Sequence, residues 1–136
     1  MNQEALLTRG QSHRERGDGL VEFALILPVL MLILMSVIDF GRAIYAYNVV
    51  ANCAREGARY GVTAPTDTAG IINVAKSAGV GLDPAQMTVD VTNPTSDSVR
   101  VSVSYKFQVV TPLIAQVLAG GGSLVLTSVA TMYTGY

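Results

Sequence analysis

From Leu20 to Ile38 the chain presents nineteen residues of which two, Glu22 and Ser36, are polar. A bilayer core takes about 20 helical residues, so this run predicts a single transmembrane helix. Beyond Asp39 the pattern becomes periodic. Ala43, Tyr47, Ala51, Ala54 and Ala58 recur at spacings of three and four, one face of a helix, with Asn48, Asn52, Arg55 and Arg59 forming a polar stripe beside it. Gly61, then Thr63 to Thr66 around Pro65, supply a stop. One helix from about residue 20 to about residue 60 would be about 60 Å long at 1.5 Å per residue. Half of it would lie in lipid and half would protrude, with a small-residue face that needs cover.

The rest of the chain can provide that cover. Thr68 to Ala78 reads as a short helix ending at Gly79. Met87, Val89 and Val91 alternate with polar residues and predict a strand, followed by a turn cluster from Asn93 to Asp97. Val99, Val101, Val103, Tyr105, Phe107 and Val109 alternate with Arg100, Ser102, Ser104, Lys106 and Gln108, the pattern of an antiparallel strand with one wet face. After Pro112 come a short apolar segment, Leu113 to Leu118, and a flexible turn at Gly120-Gly121-Gly122. Leu124 to Tyr133 reads as a last strand whose inward face the pattern does not fix. The expected fold class is α+β: a long N-terminal helix, transmembrane then amphipathic, packed on a small antiparallel sheet. The chain divides into a polar leader (1–17), a transmembrane helix (18–38), its amphipathic continuation (39–61) and a small α+β region (62–136). The leader has no apolar periodicity and reads as a short disordered segment or tail.

At 136 residues the chain allows one modest domain with appendages, and its net charge of −1 removes the electrostatic basis for nucleic-acid binding. One cysteine, Cys53, rules out an internal disulfide and reads as a small helix-packing residue. The single histidine, His13, lies in the leader, so no zinc-ligand cluster can be assembled from Cys and His. No phosphate-loop or nucleophile-elbow motif occurs. Asp67, Asp83, Asp90 and Asp97 read as turn and strand-surface residues with no His or nucleophile beside them. The expectation is a non-enzymatic protein with no cofactor and no small-molecule substrate, whose membrane partner is lipid.

Orientation follows from the basic residues. Arg9, Arg14 and Arg16 precede the apolar run, whereas Arg42 alone follows closely, which favours a cytoplasmic N-terminus and an extracytoplasmic C-terminal region. Asp39 and Arg42, at i and i+3, can pair where the helix leaves lipid. Pro28 can kink the span, and Gly57 permits close helix approach.

Glu22 is the awkward residue. A carboxylate costs about 2.5–3.5 kcal/mol at the centre of a span and less near its end. A cleaved secretory signal has an apolar region of about 7–15 residues, shorter than this one, and lacks an acidic start. A plain anchor leaves Glu22 unexplained. A leader cut after Gly17, with the apolar helix retained, makes Asp18 the first residue and Glu22 the fifth. Cutting at Gly19 would make Glu22 third, and at Gly10 twelfth. A new α-amino group would then appear at the membrane face, where pairing with a neighbour's carboxylate counts for more than in water.

"RGDGLVEFAL" (Arg16 to Leu25), "DFGR" (Asp39 to Arg42) and "AREGAR" (Ala54 to Arg59) together resemble the TadE-like family of minor pseudopilins from bacterial tight adherence (Tad, or Flp-type) pilus systems. The resemblance covers the leader, the apolar run and the helix to Gly61. It implies a pilin-like fold and cleavage by a prepilin peptidase between Gly17 and Asp18. Glu22 and Phe23 would set the assembly register. The expected place is the bacterial inner membrane, in the pilus or at its base, with sister minor pseudopilins and pilus assembly proteins as partners. Asp39, Arg42, Arg55, Glu56 and Arg59 are then candidates for partner docking. Asp18-Gly19 stands where Gln-Ser commonly follows the family's cleavage glycine, and "RGQS" at Arg9 to Ser12 is followed by His13 rather than by the apolar run. The alternative function is an uncleaved, membrane-anchored interaction module of an envelope export system.

Overall fold

Helix α1 spans Glu4–Thr63, 60 residues, in a computed structural model that describes residues 4–95, 97–111 and 123–135, with side chains described for 17–93, 97–111 and 123–135. The side chains of Arg9, His13, Arg14 and Arg16, the apolar segment Leu113 to Leu118 and the Gly120-Gly121-Gly122 turn lie outside the described residues. The helix begins at Glu4, not near Leu20. The leader lacks an apolar stripe, but Glu4 to Leu7 and Arg14 to Arg16 are good helix formers. Pro28 sits inside α1, which continues past it.

The chain divides into two units, Met1–Val37 and Ile38–Tyr136. In the first, the side chains from Gly17 to Val37 are exposed, apart from a half-buried Ser36. The Ser36 hydroxyl donates to the Leu32 carbonyl at 2.7 Å, which satisfies the second polar residue of the run within the helix itself. A helix apolar all round, with no protein over it, is suited to lipid or to other such helices.

In the second unit the end of α1 packs on α2 (Thr68–Ser77), a 3₁₀ turn (Pro84–Gln86) and three strands, β1 (Met87–Thr95), β2 (Ser98–Gln108) and β3 (Ser123–Tyr133). The sheet is an antiparallel meander in the order β1-β2-β3, so the α+β expectation holds. α1 stops where expected: the Ala64 N–H and the Thr63 hydroxyl both donate to the Tyr60 carbonyl. The Asp67 side chain then caps α2 by accepting from the Gly70 N–H at 2.9 Å.

Three expectations need correction. The buried face of α1 is centred on Ala46, Val50, Cys53, Ala54 and Ala58, and Tyr47, placed on that face by its spacing, is 50% exposed. Close approach decides the face. A Cβ on Gly57 would lie 3.0 Å from the Ala75 Cβ and 3.2 Å from Val101 Cγ1, and one on Gly61 only 2.7 Å from Val99 Cγ1. Gly57 therefore admits α2 and β2 of its own chain. Second, the turn cluster at Asn93 is largely strand: β1 runs to Thr95, its register slips between Thr92 and Thr95, and Thr95 pairs with Ser98. Pro94, lacking an N–H, is accommodated at that irregularity. Third, β2 ends at Gln108, so Val109 lies beyond it.

The uncertain strand resolves cleanly. On β3, Leu126, Ser128, Ala130 and Met132 are half-buried, while Val125, Thr127, Val129, Thr131 and Tyr133 are exposed. The core beneath the sheet joins Val50, Cys53, Ala54, Ala58, Ile71, Ala75, Met87, Val99, Val101 and Val103.

Candidate assembly interface

The candidate residues fall at three places along α1 rather than in one site. Gly17, Asp18, Glu22 and Phe23 are exposed at the start of the apolar run. A Cβ on Gly17 would meet nothing within 4 Å. Packing does not require glycine there, so any requirement for it comes from something that acts on the chain. Asp18 and Glu22 are four residues apart, one helical turn, and share a face.

At the second place the sequence foresaw half of the arrangement. Asp39 is 5% exposed, and its Oδ1 accepts from Arg42 at 3.3 Å, as the i,i+3 spacing implied. Its Oδ2 accepts three further bonds: from the Val110 N–H at 3.1 Å, the Thr111 N–H at 2.7 Å and the Thr111 hydroxyl at 2.7 Å. The carboxylate thereby ties α1 to the chain leaving β2. Burial pushes its pKa up, but the Thr111 hydroxyl and amide, the Val110 amide and the Arg42 charge outweigh this and hold it below the usual carboxylate value. The Arg42 guanidinium also lies over the Phe107 ring, 5.4 Å from its centre. Val110 and Thr111 carry no motif that could have announced this role. Asp39 is thus engaged inside its own fold, whereas much of Arg42 remains exposed.

The third place is the end of α1. Arg55 and Arg59 are exposed and Glu56 is half-buried, and among the described residues none of them forms an ion pair. Glu56 and Arg59, with Tyr60, Thr63 and Val74, line a shallow depression of about 250 Å³. This group starts sixteen residues beyond Asp39, about 24 Å along the helix, so the two do not form one surface patch. Cys53 is fully buried, and desolvation pushes its thiol pKa up, as suits a packing residue rather than a nucleophile.

Residues 17–59 match the family model described as TadE-like protein. This segment is TadE-like. The match opens at Gly17 and closes at Arg59, so it contains every candidate above and stops before α2 and the sheet. No curated protein and no solved structure matches the chain. The match is a likeness of this segment, less than half of the chain, and the segment's helix is long and apolar enough to cross a membrane.

Proposed function

We propose that the protein is a minor pilin-like subunit that supports assembly of a Tad-type pilus at the bacterial inner membrane. A prepilin peptidase cuts after Gly17 on the cytoplasmic side, and the unit from Ile38 onward lies outside the cytoplasm. One observation carries the reading: the TadE-like match begins at Gly17, and Glu22 follows as the fifth residue of an apolar helix with no protein cover. The mature amino terminus and Glu22 then act between neighbouring subunits, each carboxylate taking another chain's amine in a low dielectric. Phe23 and the apolar residues after it pack helix against helix. Exposed Arg55 and Arg59, with Glu56, offer sister pseudopilins a charged surface beyond the membrane. The role is structural and non-enzymatic.

Intact-mass measurement of the protein from cells with and without the peptidase tests the reading. The expected result is a chain beginning at Asp18 in the first case and one retaining the leader in the second. A leader retained in both would overturn processing and leave the uncleaved, membrane-anchored interaction module as the function. Replacing Gly17 by a bulky residue should block the cut; normal cleavage of that variant would overturn the assigned site.

A further inference from the structure

The apolar run ends at Ile38, and the next residue, Asp39, holds Val110 and Thr111 against the helix. The strand exit of β2 is therefore pinned beside the residue at which α1 leaves the apolar run. Apolar side chains stay uncovered on this part of the unit: Phe40 is 68% exposed and Val110 59%, with Ile44 and Leu124 also exposed. Leu124 pairs with Phe107 in the sheet, which keeps it at the same end of β2. Apolar surface of this kind is disfavoured in water but suits the boundary between headgroups and acyl chains.

Beside it is a cavity of about 290 Å³ whose lining includes Arg42, Tyr45, Asp83, Tyr105, Lys106 and Phe107. Ligand pockets typically run from about 300 to 1,000 Å³, so this one suits a headgroup and not an acyl chain. Its charges are specific. Arg42 pairs with Asp39 through one nitrogen, and guanidinium has further donors to offer. Lys106 has no partner among the described residues, and Asp83 uses only Oδ1, which accepts from the Ala85 N–H at 2.9 Å. With Arg42 balanced by Asp39, one free cation and one free carboxylate oxygen remain among the described residues of the lining, and the cavity complements a zwitterion better than a net anion.

We propose that this cavity binds the headgroup of an aminophospholipid at the point where α1 leaves the bilayer, with the phosphate on Lys106 and Arg42 and the primary ammonium on Asp83. The proposal rests on the anchored reading of the apolar helix.

The test uses the full chain in nanodiscs of phosphatidylcholine containing either phosphatidylethanolamine or phosphatidylglycerol, with retained lipids counted by native mass spectrometry. Co-elution with the discs reads the anchor separately from the lipid count; a chain that stays out of the discs overturns the anchor and this proposal with it. An inserted chain should retain phosphatidylethanolamine over phosphatidylcholine roughly tenfold, as one charge-assisted hydrogen bond provides. Asp83→Asn should abolish the preference, whereas Lys106→Gln should lower the retention of both lipids. Both residues are exposed, and Asn keeps the capping oxygen, so folding stays intact. Equal retention of phosphatidylethanolamine and phosphatidylcholine, preference for phosphatidylglycerol over phosphatidylethanolamine, a preference that survives Asp83→Asn, or undiminished retention in Lys106→Gln would each overturn the proposal.

Discussion

Asp39 stands at the edge of an apolar run, where a solvated or partner-facing carboxylate would have been unremarkable, yet it is buried under four hydrogen bonds. Asp39→Ala strips the acceptor from three donors of Val110 and Thr111, and should cost about 3 kcal/mol in denaturant unfolding of the unit. Asp39→Asn keeps an acceptor but loses the charge, and should cost about 1 kcal/mol. The sign of the pH effect follows from the lowered folded-state pKa. The carboxylate's contribution is fully present above its unfolded value, near about 3.9, and is lost as pH falls through the lower folded value. Unfolding midpoints measured across acid pH should therefore fall less steeply in Asp39→Asn than in the wild type; identical slopes would remove Asp39 as the source. The Arg42 half of this arrangement was legible because i,i+3 pairs are set by helix geometry. The Thr111 half was not, because its partner is 72 residues away and only the folded chain brings them together.

Elements were most legible where one face is fully buried. β2 announced itself because Val99, Val101, Val103 and Phe107 all enter the core. β3 did not, because its inward positions hold Ser128 and Ala130 while Val125 and Val129 point outward, and an apolar count then assigns no face. The alanine stripe of α1 gave the right segment but the wrong centre. Alanine fits both core and surface, and the rotation is set by Gly57 and Gly61, where another element comes within contact distance. Gly61→Ala should destabilise the unit by about 1–3 kcal/mol through overpacking against Val99, read as a lower unfolding midpoint. Gly17→Ala, with open space around it, should leave that midpoint unchanged. The same packing predicts that Cys53 resists a maleimide in the folded protein and reacts once denatured. Labelling at the native rate of an exposed thiol would show that the α1–sheet contact opens.

At the scale of the whole molecule, the TadE-like segment supplies the α1 side of the core, Val50, Cys53, Ala54 and Ala58, and the rest of the chain supplies its cover. The match ends at Arg59, while the sheet that gives α1 its buried face lies wholly beyond it. The matched segment thus contains an apolar helix with a carboxylate near its start and a charged stretch near its end. Stability of the unit from Ile38 onward rests on Val99, Val101, Ile71 and their neighbours, which makes the two functions separable by mutation. Glu22 lies in the other unit and is exposed, so Glu22→Ala removes no contact of the fold. The substitution also lightens the cost of placing the helix in lipid. Membrane fractionation of Glu22→Ala should accordingly show normal insertion, and thermal unfolding an unchanged midpoint for the unit from Ile38 onward. Electron microscopy of the same cells should show few or no pili, because the carboxylate that receives a neighbour's terminal amine is gone. Wild-type piliation in that strain would mean that Glu22 is merely tolerated in the span, and the assembly role would have to move to the Arg55–Arg59 stretch.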